Sequence, residues 1–343
     1  DICFFNGLGD AISKIYTYLR KETRVIGPSP AYSTHSSAEA AHAGYPHITY
    51  NLLPEKNWLP DLKDLENKIK YNPAISGILI INPDNPTGMV YPKKVLEQIA
   101  ALAKKYDLFL ISDEVYCNIA HDTKKMTALA EIIGDVPGIA MKGISKEFPW
   151  PGSRCGWIEV YNKNKDETFA KYVKSIIDAK MMEVCSTTLP QSVIPLIMSD
   201  SRYESHLKER RNFYKKRAEK AYKILSQVSG IISPKTAGAF YVSVVFKNGV
   251  LNLPAGQSGN KQKLEIKNSK VRKFIEEKTN NGMAPDKRFV YYLMGATGIC
   301  VVPLTGFNCN LLGFRATLLE TDEAKFEWIY NTIAEKIKEY LKN

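Results

Sequence analysis

The spacing of apolar and polar residues divides the chain into alternating extended and helical segments. Continuous apolar runs at Ile75–Ile81 and Leu108–Ser112 predict strands that are buried on both faces. Apolar residues at helical spacing predict helices over Asp61–Lys70 and Lys93–Tyr106, each preceded by a proline. Further extended segments are expected at 2–5, 24–27, 48–50, 138–141 and 157–160, with a helix over 11–19. The alternation predicts an α/β fold with a mostly parallel central sheet wrapped by helices.

The pattern changes after a long basic segment. Residues 206–223 place apolar side chains at helical spacing and predict one amphipathic helix. Beyond it, Phe240–Phe246 alternates like a half-buried strand, and residues 247–269 form a polar loop. Helices are expected at 271–278, 288–293 and from 322 onward, with strands at 299–302 and 314–319. We therefore predict a large domain of residues 1–202, followed by residues 203–343 as a long connecting helix and a smaller α+β domain.

Composition sets the class of protein without naming its chemistry. Apolar residues make up 44% and charged residues 24% of the 343, as in ordinary globular proteins. No apolar stretch is long enough for a membrane span, and no secretory signal precedes the first strand. The six cysteines include no C-x-x-C pair, and the five histidines are scattered. We expect reduced core thiols, no metal site and a cytoplasmic location.

The net charge of +11 is concentrated in one place. Residues 206–223 hold eight basic and two acidic side chains, so this segment alone contributes +6. A solvated basic helix face explains this better than a nucleic-acid surface, because no known nucleic-acid-binding motif accompanies it. We expect no nucleic-acid partner and a positive field that attracts anionic substrates.

Four short motifs could carry chemistry, and each has an ordinary structural explanation when it is taken alone. An Asn-Pro-x-Gly sequence is good turn chemistry, acidic residues often follow strands, and an arginine can form a structural ion pair. The motifs are Asn85-Pro86-Thr87-Gly88, Asp113 with Tyr116, Ser145-Lys146 with Arg154, and Arg315 in an apolar strand.

Taken together, these residues resemble the aminotransferase class I/II family of fold-type I pyridoxal-phosphate enzymes, which includes aspartate, alanine and tyrosine aminotransferases. Asp113 follows Asn85 by 28 positions, Tyr116 follows Asp113 by 3, and Arg154 follows Lys146 by 8, as in the family. The resemblance extends from about Cys3 to the C-terminus, and several spaced motifs are more specific than one.

The resemblance implies pyridoxal 5'-phosphate as the cofactor and a role for each residue. Lys146 forms the Schiff base with the cofactor and, once released, moves a proton between the substrate Cα and the cofactor. Asp113 keeps the pyridine nitrogen protonated, since a neighbouring carboxylate raises that nitrogen's pKa. Asn85 and Tyr116 donate to the phenolic oxygen of the ring.

The resemblance also implies how the phosphate is held. Gly7, Leu8 and Gly9 open a helix whose first backbone N–H groups favour an anion. Arg154 adds a guanidinium fork, and Ser145 adds a hydroxyl. We expect these five residues to form the phosphate site.

Two further roles follow from the same resemblance. Tyr32 matches the aromatic residue that stacks on the cofactor ring, although a buried loop tyrosine is its alternative explanation. Arg315 matches the arginine that binds the substrate α-carboxylate, with Asn85 nearby, and so orients the Cα–H bond for cleavage. A dinucleotide site is disfavoured, because Ile12 stands where its fingerprint needs a third glycine.

Three features depart from the family pattern. Gly143 stands where many relatives have a phosphate-binding serine, and 161 positions separate Arg154 from Arg315, with the polar stretch 247–269 as the expected cause. The part of the small domain that precedes Cys3 in relatives is expected to be absent from this chain. Leu304–Phe307 differs from the Gly-Ser-Gly-Phe of alanine-aminotransferase-like members, although Gly298–Pro303 resembles theirs.

The leading hypothesis is a homodimeric aminotransferase (class 2.6.1) of amino acid metabolism, with active sites at the subunit interface. It moves the amino group of an L-amino acid to a 2-oxo acid, with alanine or glutamate favoured and aspartate next. A lyase or decarboxylase of the same fold is the alternative, such as a C–S β-lyase or an aspartate 4-decarboxylase. A cofactor-binding regulator is the non-enzyme alternative.

Overall fold

The structure is a computed structural model that describes residues 1–251, 262–279 and 282–342. Part of the predicted polar loop 247–269 lies outside the described residues. Within those residues, no helix is both long and apolar enough to cross a membrane.

The first half of the chain forms a large sheet. Its strands are β1 (Ile2–Phe5), β2 (Arg24–Ser29), β3 (Thr49–Leu53), β4 (Leu59–Pro60), β5 (Ile75–Ile81), β6 (Phe109–Asp113), β7 (Gly138–Gly143) and β8 (Gly156–Tyr161). They lie in the order β1-β8-β7-β6-β5-β2-β3-β4. The five strands from β7 to β3 in this order pair in parallel, and β1, β8 and β4 pair antiparallel. The mostly parallel sheet is therefore confirmed.

Helices cover both faces of this sheet. They are α1 (Leu8–Thr17), α2 (Ser33–Ala43), α3 (Leu62–Tyr71), α4 (Lys93–Lys105), α5 (Ile144–Glu147), α6 (Glu167–Met181) and α7 (Thr188–Ser199). Successive residues of β5 alternate between two cores: Ile78 and Ile80 pack on the side of α3 and α4, while Leu79 and Ile81 pack on the side of α1 and α6. A strand buried on both faces has no polar alternation, as its continuous apolar run predicted.

The second half begins with the long basic helix and forms a smaller sheet. Its elements are α8 (Tyr203–Leu225), β9 (Ile231–Ile232), β10 (Tyr241–Phe246), α9 (Ser269–Thr279), α10 (Pro285–Thr297), β11 (Val302–Pro303), β12 (Gly313–Thr317) and α11 (Glu323–Lys342). The four strands pair antiparallel in the order β11-β12-β10-β9. The apolar residues that recur at helical spacing along α8 are all buried: Leu207, Tyr214, Ala218, Ala221 and Leu225.

Several local predictions were wrong. The strand β10 is not half-buried, because every residue from Tyr241 to Phe246 is buried. Its Val244 packs among the helices of the smaller sheet, whereas Val245 packs in the core beside α3 and α4. The extended run 299–302 pairs as a strand only at Val302–Pro303. Four helices were not predicted: α2, α5, α6 and α7. Of these, α2 has weak apolar periodicity, α5 is only four residues long, and α7 contains Pro195.

The cysteine prediction was correct in part. All six cysteines are free, but only Cys155 is buried, while Cys185 and Cys300 are exposed. Cys185 lies in the turn between α6 and α7, which projects apolar side chains outward. The expectation that all six are core thiols was therefore wrong.

Candidate active site

The candidate residues of the large sheet lie where neighbouring parallel strands end. Asn85 follows β5 by four residues, Asp113 is the last residue of β6, and Lys146 lies in α5, directly after β7. The strands β5, β6 and β7 are adjacent and parallel, so their carboxyl ends share one edge of the sheet. This edge is where open α/β sheets bind ligands.

Asp113 is held in a buried hydrogen-bond chain. Its Oδ2 lies 3.1 Å from Nε2 of the fully buried His35, and its Oδ1 accepts from the Val115 N–H at 3.1 Å. The Nδ1 of His35 lies 3.3 Å from the hydroxyl of the buried Tyr16. With Tyr16 donating to Nδ1, Nε2 carries the proton and donates to Asp113. The carboxylate is thereby fixed in position.

His35 and Tyr16 are site residues that the sequence analysis missed. His35 was among the histidines judged scattered, yet it contacts a carboxylate 78 positions further along the chain. The only local signal is its place on α2, three residues after Tyr32. A spacing of that kind predicts a shared helix face but does not identify the partner.

Lys146 has an environment that favours the uncharged amine. Burial lowers the pKa of its ammonium group, Asp113 acts in the opposite sense, and the positive charges of Arg315 and Arg154 lower the pKa further. Its Nζ lies 6.0 Å from the centre of the Phe240 ring. An amine with a depressed pKa is a better nucleophile near neutral pH. Asp113, Arg154 and Arg315 all act on this amine, so the structure brings the predicted charged residues together.

The start of α1 and Arg154 form a cradle. Gly7 has φ 84°, and a Cβ added there would lie 2.3 Å from the Nη2 of Arg154. The guanidinium donates to the carbonyls of Pro151 at 3.0 Å and Asn6 at 3.4 Å. In the described part of the chain, no side chain caps the first N–H groups of α1, at Leu8 and Gly9. Free N–H groups beside a fixed guanidinium fit a phosphate.

Two small residues lie close to Lys146 in the chain. Ser145 is half-buried in α5, directly before Lys146. A Cβ at Gly143 would lie 2.7 Å from Cδ1 of Leu8. The glycine therefore allows Leu8 to pack closely against the end of β7.

Arg315 reaches the site from β12. Its Nη1 donates to Oδ1 of the buried Asn85 at 2.9 Å, although 230 positions separate the two. The guanidinium lies 4.4 Å from the ring centre of Tyr241 and 4.8 Å from that of Phe307. Its Nε is buried and has no hydrogen-bond partner among the described residues. A guanidinium fork placed between two rings and bonded at one nitrogen is ready to bind a carboxylate.

Tyr116 is paired with a second tyrosine. Its hydroxyl lies 2.8 Å from that of Tyr241, and both side chains are buried. Burial raises the pKa of Tyr116 well above its usual range, so the phenol stays protonated and can donate. Tyr241 was missed by the sequence analysis, where it was only part of a strand. Tyr32 is half-buried, with its ring edge-on to His35 at 6.3 Å between centres.

Comparisons with known proteins point to one family and one fold. A family model described as aminotransferase class I and II matches residues 1–327. An uncharacterized aminotransferase of Methanocaldococcus jannaschii is 59% identical over 342 residues, covering 100% of this chain and 77% of that protein. An alanine aminotransferase of Mycobacterium tuberculosis is 28% identical over 242 residues, covering 70% of this chain and 55% of that protein. The solved structure of an alanine aminotransferase from Pyrococcus furiosus has a TM-score of 0.79 at 24% identity, covering 100% of this chain and 76% of that one. The likeness to the solved structure concerns the fold.

Proposed function

The chain belongs to the aminotransferase class I and II family, and on this premise we propose that it moves the amino group of an L-amino acid to a 2-oxo acid in two half-reactions. The family depends on pyridoxal phosphate. The observation that carries the proposal is the convergence of Lys146, Asp113 and the Asn85–Arg315 pair on one edge of the large sheet. The proposal names these residues as the site.

The residues present fit the cofactor. The absence of a Cβ at Gly7 lets the Arg154 guanidinium lie against the start of α1, where both could hold a phosphate, and the buried Asp113 offers a carboxylate to a pyridine nitrogen. We assign the phosphate to Gly7, Leu8, Gly9, Ser145 and Arg154. We assign the ring to Tyr32, Asn85, Asp113 and Tyr116, and the covalent link to Lys146.

Each side chain then has a defined task. Bound pyridoxal phosphate supplies an electron sink that allows the substrate Cα–H bond to break. Asp113, oriented by His35, holds the proton on the pyridine nitrogen. The amine of Lys146, with its lowered pKa, would accept the proton from the substrate Cα and pass it to the cofactor. Arg315 and Asn85 bind the α-carboxylate and orient the Cα–H bond, which favours its cleavage over loss of carbon dioxide.

We propose alanine, glutamate or aspartate as amino donors. Support comes from the mycobacterial relative, which is named an alanine aminotransferase, and from the Gly298–Pro303 run. The aspartate assignment rests on the family resemblance alone. The proposed site binds the α-carboxylate at Arg315, and every amino acid has an α-carboxylate.

We also propose a homodimer with active sites at the subunit interface. Six large apolar side chains are exposed between residues 181 and 198: Met181, Met182, Val184, Leu189, Leu196 and Met198. We call these six residues the apolar segment. An exposed patch of this kind favours a protein partner. Thr187, within the same stretch, bonds to Asn6 and to the Arg154 carbonyl, so a partner on the segment lies beside the phosphate cradle.

The remaining proposals concern domains and location. We propose a large cofactor-binding domain of residues 1–202 and a second unit of residues 203–343. The last strand of the large sheet ends at Tyr161, and the first of the small sheet begins at Ile231. We place the protein in the cytoplasm, since its six cysteines are free.

Two measurements test the function. The purified, cofactor-loaded protein is reduced with borohydride and mapped by peptide mass spectrometry, and we expect the label on Lys146. A separate, unreduced sample of the cofactor-loaded protein is given an α-deuterated amino acid and a 2-oxo acid acceptor. We expect loss of the deuterium and formation of a new amino acid. A label on another lysine overturns the site, whereas release of a thiol or of carbon dioxide supports the lyase or decarboxylase alternative.

A further inference from the structure

A cavity of about 960 Å³ lies beside helix α8, and none of the proposed active-site residues line it. Five lysines from four segments line this cavity: Lys93 of α4, Lys124 and Lys125 after β6, Lys215 of α8, and Lys235 before β10. We propose that this lysine cavity binds a small polyanion, a ligand that carries several phosphate groups. The site is separate from the cofactor's phosphate cradle.

The positive charge of the lysine cavity is poorly neutralised. Among the described residues, only Lys125 has a carboxylate within 4.0 Å, that of Asp122 at 3.9 Å. The other four lysines form no ion pair with a described residue. All five lysines are exposed to solvent around the same cavity, so an anion with several charges can contact more than one of them at once.

The carboxylates of the lysine cavity do not cancel this charge. Asp122 accepts a hydrogen bond from the Lys124 backbone N–H at 3.1 Å, and Glu131 accepts one from that of Ala128 at 2.8 Å. Both carboxylates therefore stabilise their own turns. Glu219 is the third carboxylate in the lining, so five lysines face three acidic side chains.

The lining also suits the uncharged part of such a ligand. Burial lowers the pKa of His121 to about 4, so its imidazole is neutral at physiological pH. Tyr222 lies under Lys235, with 5.1 Å between the ring centre and Nζ, and Met126 adds apolar surface. The cavity volume is within the range of small-molecule sites.

The shape favours a small ligand over a nucleic acid. Of the basic side chains of α8, only Lys215 lines the cavity, while Lys216 and Lys223 line a different surface. The charges therefore converge on a concave space, whereas a nucleic acid needs a row of cations along an extended surface. This arrangement explains part of the basic excess of residues 206–223, to which the proposed function assigns no role.

Inorganic triphosphate is the probe for this site. The cofactor-loaded protein, whose phosphate cradle is filled, is titrated by calorimetry at an ionic strength on the order of 0.15 M. We expect one saturable site per chain. Lys215→Glu and Lys235→Glu should each weaken binding at least tenfold. Lys216→Glu makes the same charge change at the next position of α8, outside the cavity, and should change binding less than twofold.

Several results overturn the proposal. If the wild-type protein does not bind triphosphate, or binds it only without cofactor, the lysine cavity is not a polyanion site. Equal weakening by Lys215→Glu and Lys216→Glu shows diffuse attraction instead of a defined site. An RNA oligonucleotide that binds tightly and is not displaced by triphosphate indicates a nucleic-acid surface. Unchanged cofactor absorbance and circular dichroism in each variant show that it is folded, so a loss of binding is attributed to the site.

Discussion

At the scale of single residues, Arg315, the proposed substrate arginine, is held by its hydrogen bond to Asn85. Both side chains are held before any ligand binds: Asn85 is buried, and the guanidinium lies between Tyr241 and Phe307. Arg154, by contrast, lies at the phosphate cradle beside Gly7. The two arginines therefore have different expected phenotypes.

We predict that Arg315→Ala lowers kcat/KM for amino acids about a hundredfold or more. Truncating one partner of a desolvated charge pair costs about 2–5 kcal/mol, and about 1.4 kcal/mol corresponds to each tenfold change. The absorbance of the bound cofactor should change little. Steady-state kinetics with an amino acid and with a matching amine that lacks the carboxylate provide the measurement, and the amine should lose little. Loss of cofactor from the variant, or an equal penalty for the amine, contradicts the substrate role.

Asp84, next to Asn85, is a buried acid whose contribution to the free energy of unfolding depends on pH. Burial raises the pKa of its carboxyl from 3.8 to about 7, and hydrogen bonds from Thr87 act in the opposite sense. Between about pH 4 and pH 7 the folded protein therefore keeps a proton that the unfolded chain has lost. By linkage, this residue makes the free energy of unfolding fall as the pH rises through that window.

We predict that Asp84→Asn removes this contribution. The amide oxygen can still accept from Thr87 but does not ionise. The free energy of unfolding of the variant, relative to wild type, should therefore increase between pH 5 and pH 7.5. Urea denaturation of both proteins at the two pH values measures the change. Parallel behaviour of variant and wild type shows that Asp84 ionises normally in the folded protein.

At the scale of elements, the first turn of α1 contains a matched pair of glycines. A Cβ at Gly7 lies 2.3 Å from the Arg154 guanidinium, and φ there is 84°, which strains any other residue. A Cβ at Gly9 has no described atom within 4 Å. A glycine-to-alanine substitution therefore tests the cradle at Gly7 and the helix at Gly9.

We predict that Gly7→Ala weakens cofactor binding at least tenfold, because the guanidinium must move away from the phosphate. Gly9→Ala should bind cofactor normally and gain about 0.5–1 kcal/mol of stability, since alanine is the better helix former. Equilibrium dialysis with pyridoxal phosphate and thermal unfolding measure the two effects. Equal cofactor affinity in both variants means that Gly7 and Arg154 do not hold the phosphate.

At the scale of the whole molecule, the two sheets meet at the site through specific bonds. The Ser243 hydroxyl of β10 donates to the Pro86 carbonyl at 2.8 Å, and the Ala237 N–H donates to that of Gly88 at 2.9 Å. The turn that carries Asn85 is thereby bonded to the strand that carries Tyr241. Arg315 lies on β12, which pairs with this strand. The bonds that fix the strand to the turn therefore also fix Arg315 relative to Asn85.

The apolar segment gives the whole-molecule prediction. Val184 is 89% exposed, so Val184→Glu places a charge in the proposed interface while leaving the core unchanged. We expect the dimer to weaken at least tenfold, about 1.4 kcal/mol, with loss of cofactor on dilution. Analytical ultracentrifugation across concentrations measures the change.

A matched variant provides the control. Tyr71→Glu also charges an exposed apolar side chain, 75% exposed, at the end of α3 and outside the apolar segment. It should leave the dimer intact. A monomeric wild type, or equal weakening by both variants, rules out the apolar segment as the interface.

The sequence alone determined the features that depend on neighbouring residues. The bounds of β5 were predicted to the residue, because a doubly buried strand is a continuous apolar run with polar neighbours. Lys146, Asp113 and Arg154 became candidates because their motifs and spacings resemble those of the aminotransferase family. Periodicity and motif spacing are properties of short stretches, so they can be read without the fold.

Only the tertiary structure decided which distant residues meet. His35 joins Asp113 across 78 positions, Tyr116 joins Tyr241 across 125, and Arg315 joins Asn85 across 230. The burial of both faces of β10 and the convergence of the lysines on one cavity are of the same kind. Such contacts depend on how the sheets and helices pack, and packing between distant segments leaves no periodic signal in either one.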